Sequence, residues 1–534
     1  MLQNEVGYTN CTMVRTAGDT KGRLVVLMWR VILSLMCCLI LSDVFDTACR
    51  GQERPIVTET LLGQAFDAVP SPNMLHAAIT RLDHAPATKT SSDVLLVDDR
   101  PVSKPYDQIS SITFSPNSEH LAFVGTSQGR NCVVFDGVAG AFYESISWQP
   151  SANSGLLFSA DSRHLLYQAQ RGHRVVTVID GKEGPWLDSV PWAALAWFSP
   201  DSNRVAYGAE RDGRQFVIAD GKEGSKYDSV SAFGFFNPDS RHLIYWAGRR
   251  GKFVVVTDGI ESAEYDGPNQ LASFLWSHNG QHLAYRVSSS GRSSIVQDGK
   301  ELKYQESCGD PVWSPDGSKL AYALISPSYS SVAVNGERSD VVWDAVVGIW
   351  FSPDSKHLVY EAQKAGKWLL VIDGKAGPSF DSIGLLEFKP DSSGVVYVGK
   401  LGGKVMVIDG GTASVQYDDV TSLAISANSM RVSFIARDAK SFSAVVDGVS
   451  GGGYANITAP TFSPDSRHFC YFAYRGKKKL LVVDGLTAAA YDAEPSDSNM
   501  SSLLGAKIVF DTPDAFHTIS ARDGHIYMVR GRLK

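Results

Sequence analysis

Apolar and polar positions along this chain follow one unit that recurs eleven times. Residues 351–381, FSPDSKHLVYEAQKAGKWLLVIDGKAGPSFD, carry it whole. An aromatic residue precedes Ser-Pro-Asp-Ser, where Pro presets φ for a type I turn and Asp and Ser bond back to the backbone. A strand follows, then a Gly-basic turn, then a run of apolar and β-branched residues such as Phe253–Thr257. A strand with that composition is expected to be buried on both faces. Asp-Gly comes next at 136, 180, 220, 258, 298, 373, 409, 447 and 484, with Asn335-Gly336 in the sixth copy. These dipeptides suit the positive-φ positions of two-residue hairpins, so neighbouring strands run antiparallel. The last strand of the unit ends in aromatic-Asp.

The aromatic anchors are Phe114, Phe158, Phe198, Phe236, Trp276, Trp313, Phe351, Phe388, Ile425, Phe462 and Phe510, spaced 37 to 48 residues apart. That period indicates a propeller or a solenoid. A hairpin at every step selects the propeller, because a parallel solenoid has no use for one. Four strands of about five residues with four short connections fill roughly 37–40 residues, one blade. The expected fold is therefore all-β, a β-propeller of eleven four-stranded repeats spanning residues 93–534. Propellers typically hold four to eight blades. Two rings of five and six fit that range better than one ring of eleven.

The Ser-Pro-Asp-Ser/Gly, Leu-Ala-Tyr and Val-Val-x-Asp-Gly pattern resembles the WD-like Pro-Asp repeats of bacterial TolB-type β-propellers, over about 435 of the 534 residues. The resemblance implies the fold. TolB carries a compact α/β domain ahead of its propeller; residues 50–92 are too few for one, so the transport role is not carried over.

Val94–Asp107, VLLVDDRPVSKPYD, reads as the second half of a repeat, and Phe510–Val529 reads as a first half. Together they would complete one blade and close the ring by pairing the chain's N- and C-terminal strands. Residues 50–92, with Pro55, Pro70, Pro72 and Pro86, read as a linker with a possible short helix from Asn73 to Leu82. Residues 1–49 read as an N-terminal extension plus an export signal or a membrane anchor. Residues 24–42 are apolar apart from a few positions, Arg30 among them, and residues 31–41 form the apolar core. Taken from Met28, the run is a better signal, with Met28 as the expected translation start. Cys49 is a candidate lipid acceptor, against which Asp46 counts. The expected location is the periplasm, the cell envelope or outside the cell.

Composition is that of an ordinary globular chain, 44% hydrophobic and 20% charged, with a net charge of −7. That balance argues against a general nucleic-acid binder. Seven cysteines fall at inequivalent places and form no CxxC or zinc pattern. No cofactor motif and no metal motif is present, neither P-loop, HExxH nor EF-hand. GxSxG occurs at 125–129 and 448–452, but inside hairpin connections with no helix following, so chance in a Gly/Ser-rich chain is the better reading.

Histidines recur where the second strand opens: His120, His164, His242, His282, His357 and His468. Recurrence at one structural position points to a hydrogen bond that fixes the turn. The aromatic-Asp endings at 188, 228, 266, 381, 418 and 492 have the same character. One asymmetry is left. The turn between the second and third strands is basic, and the candidate binding residues are Arg171, Arg174, Arg211, Arg214, Arg249, Arg250, Lys252, Lys477 and Lys478. In a propeller these turns share a face, opposite the Asp-Gly and Ser-Pro-Asp turns. The longer connections Glu144–Gly155 and Ala493–Ala506 would join them on that face. The expected function is an exported, non-catalytic binding or scaffold module that presents a rigid face to a protein or anionic partner. An enzyme of lyase or glycosidase type, with its site in the central channel, is the alternative.

Overall fold

The structure is a computed structural model. It describes residues 55–64, 68–84, 91–147, 155–191, 196–231, 235–268, 274–289, 291–302, 304, 306–492 and 507–533. The candidate signal or anchor at 24–42, Met28, Cys49 and the connection 493–506 lie outside them. Among the described residues there is no helix, and so none long and apolar enough to cross a membrane.

The strands form twelve antiparallel sheets in chain order. Blades 1 to 11 span 69–101, 108–143, 145–187, 197–223, 229–261, 267–302, 307–338, 345–380, 382–413, 419–454 and 456–492. Blade 12 combines 509–532 with strand β1, Ile56–Gln64. Within each blade, strands a to d run from the channel outward. In blades 3, 5, 6, 7 and 11 strand a is two short pieces.

The chain forms a single ring. Twelve apolar clusters each join two consecutive blades, and together they cover all twelve boundaries. Two of them show the rule. Ile244, Trp246 and Val255 of blade 5 pack on Tyr285 and Val287 of blade 6. Phe472 and Leu481 of blade 11 pack on Phe516 and Val529 of blade 12. The closing boundary, between blades 12 and 1, joins Ile519, Ile526 and Met528 to Ala77 and Ile79. Burial on both sides explains the unbroken apolar c strands: Val254, Val255 and Val256 are all buried.

Several expectations are corrected here. There are twelve blades rather than eleven, in one ring rather than two. Residues 94–107 do not complete the last blade. They pair with Ala77–His84 in a blade of their own, blade 1. The last blade is closed instead by β1, whose Ile56 lies opposite Arg532 and whose Gln64 lies opposite His525. Residues 50–92 are therefore not a linker, since β1 and strands a and b of blade 1 come from them. Asn73–Leu82 is not a helix but a turn leading into the strand Ala77–His84. The connection expected over Glu144–Gly155 is strand in part, and its residues 148–154 lie outside the described ones. Ser145–Ser147 and Leu156–Phe158 both pair with strand b of blade 3.

Blade 1 had a legible signal. Ser71-Pro72-Asn73-Met74 stands for Ser-Pro-Asp-Ser, and His76 holds the repeat histidine position. Met74, at φ 59, has the conformation that Ser118, at φ 66, has in blade 2. An Asp98-Asp99 pair in place of Asp-Gly and a longer b–c connection disguise it.

Candidate binding faces and their polar networks

The Asp-Gly hairpins are tight turns with both central residues left-handed, for example Asp136 at φ 46 and Gly137 at φ 79. Each hairpin Asp then does two things. In blade 2, Asp136 Oδ1 accepts the Leu121 N–H (2.9 Å), and Oδ2 accepts from His120 Nδ1 (2.7 Å). The same pair recurs as His76–Asp98, His164–Asp180, His242–Asp258, His282–Asp298, His357–Asp373 and His468–Asp484, at 2.6 to 3.0 Å. Where the histidine is replaced, Arg204 and Arg431 make the equivalent contact to Asp220 and Asp447. The recurring histidines thus tie the a–b turn to the c–d hairpin of their own blade.

A second set of bonds on this face links neighbouring blades. The third residue of the Ser-Pro-Asp-Ser-type turn donates its backbone N–H to the left-handed serine of the next blade. Asn117 donates to Ser162 Oγ (3.0 Å), Asp161 to Ser202, and Asp354 to Ser392. The belt crosses the closure, since Asn73 donates to Ser118 Oγ and His517 Nε2 donates to the Asn73 carbonyl (2.6 Å). The turn carboxylates are held below the usual range by hydroxyl and backbone donors. Asp316 is brought down to about 2, first by the Ser314 hydroxyl and then by the Ser318 N–H.

The opposite face carries the b–c turns and the candidate basic rim. The predicted residues lie there as expected, but most are neutralised. Arg211 pairs with Glu223 (2.8 Å), Arg249 with Glu261 (2.7 Å), and Arg171 with Glu183 (3.7 Å). Arg214 pairs with Asp228 (2.6 Å), Lys478 with Asp492 (2.7 Å), and Lys252 with Asp266. Arg174 donates to the Trp186 carbonyl. Arg250 and Lys477 have no ion pair among the described residues.

The aspartates in these pairs, Asp228, Asp266 and Asp492, are the aromatic-Asp residues. Each bridges two blades. Asp228 takes Arg214 of its own blade on Oδ1 and the Arg250 N–H of the next blade on Oδ2 (2.7 Å). Asp381 does the same with Lys367 (2.5 Å) and the Gly402 N–H (2.8 Å), and Asp492 with Lys478 and the Asp523 N–H (2.7 Å). The cation and the amide hold the carboxyls of Asp381, Asp418 and Asp492 below their ordinary value.

A few residues break the repeat. At the blade 6/7 boundary Glu306 replaces the bridging Asp and accepts from the Tyr329 hydroxyl (2.9 Å) and Arg338 (2.7 Å). In strand b, where most blades place an apolar side chain facing the next blade, blade 6 has Arg286 and blade 8 has Glu361. Arg286 lies 3.3 Å from Asp310. Glu361 is half-buried, and desolvation pushes its carboxyl up to about 7. Arg286 and Glu306 both sit at the blade 6/7 boundary, and Glu361 lies apart from them in blade 8. Among the described residues no three His, Cys, Asp or Glu side chains converge as a metal site. The GxSxG serines, Ser127 and Ser450, lie in strands without a following helix. The cleft between blades 1 and 2 has a volume of 480 Å³, lined by His76, Val102, Phe114, His120 and Gly137 among others.

No family model matches the chain, and no curated protein matches it. Among solved structures, the β-propeller domain of the Trilobed protease from Pyrococcus furiosus is similar over 47% of this chain and 93% of its own, with 15% identity and a TM-score of 0.22. A structure from an analysis of two prolyl endopeptidases is similar over 57% of this chain, with 12% identity and a TM-score of 0.24. This chain spans about half of that protein's length, 54%. The TolB-type resemblance has no counterpart in these comparisons. The strand pairings make the chain a many-bladed β-propeller.

Proposed function

We propose that this chain is an exported, non-catalytic β-propeller scaffold of the TolB-like repeat type, presenting a rigid ring surface to a protein or anionic partner. The observation that carries the reading is where the repeated polar side chains go. The His–Asp pairs, the serine belt and the bridging aspartates all hold turns or join blades. A catalytic site instead gathers pattern-breaking residues around one point; here Arg286 and Glu306 share the blade 6/7 boundary, where each is held by its own partner, Asp310 for the first and Tyr329 with Arg338 for the second, and Glu361 stands apart in blade 8. A rigid frame with exposed turns is the usual support for recognition.

The test is a pull-down from the envelope fraction with the full chain, washed at rising salt. A protein or anionic partner is retained at low salt and lost as salt screens it. Replacing Arg250 and Lys477, the rim cations without an ion pair among the described residues, with Ser weakens retention. Enrichment of nothing over a tag-only control would sink the reading. So would turnover of a glycan by the purified protein that Glu361→Gln abolishes.

A further inference from the structure

Exposed cations are not confined to the rim where the b–c turns lie. A second set stands at the tips of the other face, which carries the Ser-Pro-Asp and Asp-Gly turns. Two positions form those tips in blades 1 to 11: the residue after the hairpin dipeptide and the residue before the one that opens strand b. The first holds Arg100, Lys182, Lys222, Lys300 and Lys375, all exposed. The second holds Arg163, Arg241, Lys356 and Arg467, also exposed. Against these nine, the same two positions hold only Glu119 and Glu337.

In two of these turns the carboxylate lies deeper than the cation beside it. The Arg163 side chain is 81% exposed and that of its neighbour Asp161 34%; for Lys356 and Asp354 the values are 77% and 32%. The aspartates are turned into their own turns, and Asp161 accepts from Ser159 Oγ and the Arg163 N–H. The two tip positions are therefore predominantly cationic, although the turns beneath them carry exposed aspartates such as Asp201, Asp239 and Asp316.

Between the cations, the same tip positions carry bare apolar side chains. Met430 is 82% exposed, Ile260 76% and Val138 72%. These are the three most exposed large hydrophobic residues among those described. Flanking prolines such as Pro116, Pro353 and Pro464 are exposed beside them. Basic side chains interspersed with apolar ones on one plane are the chemistry of an interfacial membrane surface. The chain also joins the ring here. Ile56 begins β1 opposite Arg532, at the hairpin end of blade 12, so whatever precedes residue 56 is covalently tied to this face.

We propose that the Ser-Pro-Asp/Asp-Gly face of the ring lies against an anionic lipid bilayer, with Met430, Ile260 and Val138 at the interface and the tip lysines and arginines on the headgroups. The proposal rests on the scaffold reading for its cellular setting.

The experiment measures binding of the full chain to vesicles of phosphatidylcholine alone and of phosphatidylcholine mixed with phosphatidylglycerol. The expected result is tighter, salt-sensitive binding to the mixed vesicles. Replacing Lys182, Lys222, Lys300 and Lys375 with Ser lowers that binding by up to about a thousandfold. The same charge removed from the other face, as Arg292→Ser, Lys364→Ser, Lys400→Ser and Lys440→Ser, leaves it nearly unchanged. Val138→Asp with Ile260→Asp lowers binding with every lysine in place, and all these positions are exposed, so the fold is kept. Equal loss from both faces, or wild-type binding by the four-lysine variant, overturns the proposal and leaves the scaffold reading standing. Catalytic turnover would do the reverse.

Discussion

The hydroxyl of Tyr207 in blade 4 stands 3.0 Å from where a β-carbon would lie on Gly184 in blade 3. The Thr177 carbonyl closes the other side at 3.2 Å. The glycine lets strand b of one blade approach strand d of the blade before it. Gly184→Ala therefore overpacks the boundary and costs about 1 kcal/mol, after the smaller gain from a less flexible unfolded chain. Adding Tyr207→Phe recovers part of the loss, because it removes one of the two obstacles. A double-mutant cycle by denaturant titration reads the coupling. Gly377, whose nearest tyrosine hydroxyl is 3.9 Å away, tolerates Ala better.

Strand β1 is the fastener of the ring. Leu62 is buried among Ile79, Ile519 and Met528, and Glu59 pairs with Arg522 (2.5 Å). Leu62→Ala costs about 2–4 kcal/mol. Deleting 56–64 strips the outer strand from blade 12 and leaves His525–Arg532 as an open edge, which pairs with other chains. Light scattering shows this deletion as aggregation or dimer formation at a temperature where the full chain is monodisperse. A monodisperse deletion with unchanged thermal unfolding would mean β1 is dispensable.

Asp381 joins blades 8 and 9 through Lys367 and the Gly402 N–H. Asp381→Ala loses both and lowers the unfolding temperature, while Asp381→Asn keeps an acceptor for one donor and falls in between. The carboxyl is held below its ordinary value, so its contribution is present above the unfolded pKa. It is lost as the pH falls through the lower folded pKa. The gap between wild type and Asp381→Ala in thermal unfolding therefore narrows in acid. Asp418 and Asp492, lowered by the same arrangement, follow the same sign.

Glu361 has the opposite sign. Burial raises its carboxyl from 4.5 to about 7. The folded state binds a proton that the unfolded chain releases, so stability falls as the pH rises from about 4.5 through about 7. Glu361→Gln removes this penalty. At pH 8 the variant is more stable than wild type by roughly 1 kcal/mol, a value discounted for the half-exposed side chain. At pH 4 the two are equal. Thermal unfolding at the two pH values decides it, and a variant less stable at both would mean the carboxyl has a bonding role.

The repeat unit, its antiparallel hairpins and the all-β architecture were determined by the sequence, because local chemistry sets them. Pro presets a turn, Asp-Gly tolerates two left-handed residues, and continuous β-branched strands require cover on both sides. The bonding role of the recurring histidines was legible for the same reason, since each contacts an Asp in its own blade. The ring itself was not. Blade 1 lost its Asp-Gly and gained a longer hairpin, and β1 carries no repeat motif at all, so only pairing between residues more than 450 positions apart could assign it. The basic rim failed as a free surface for a related reason. A sequence places Arg211 and Arg249 in turns, but whether a cation meets a carboxylate depends on strand register, and register brought Glu223 and Glu261 within 3 Å. Tertiary structure alone decided which charges were left for a partner to meet.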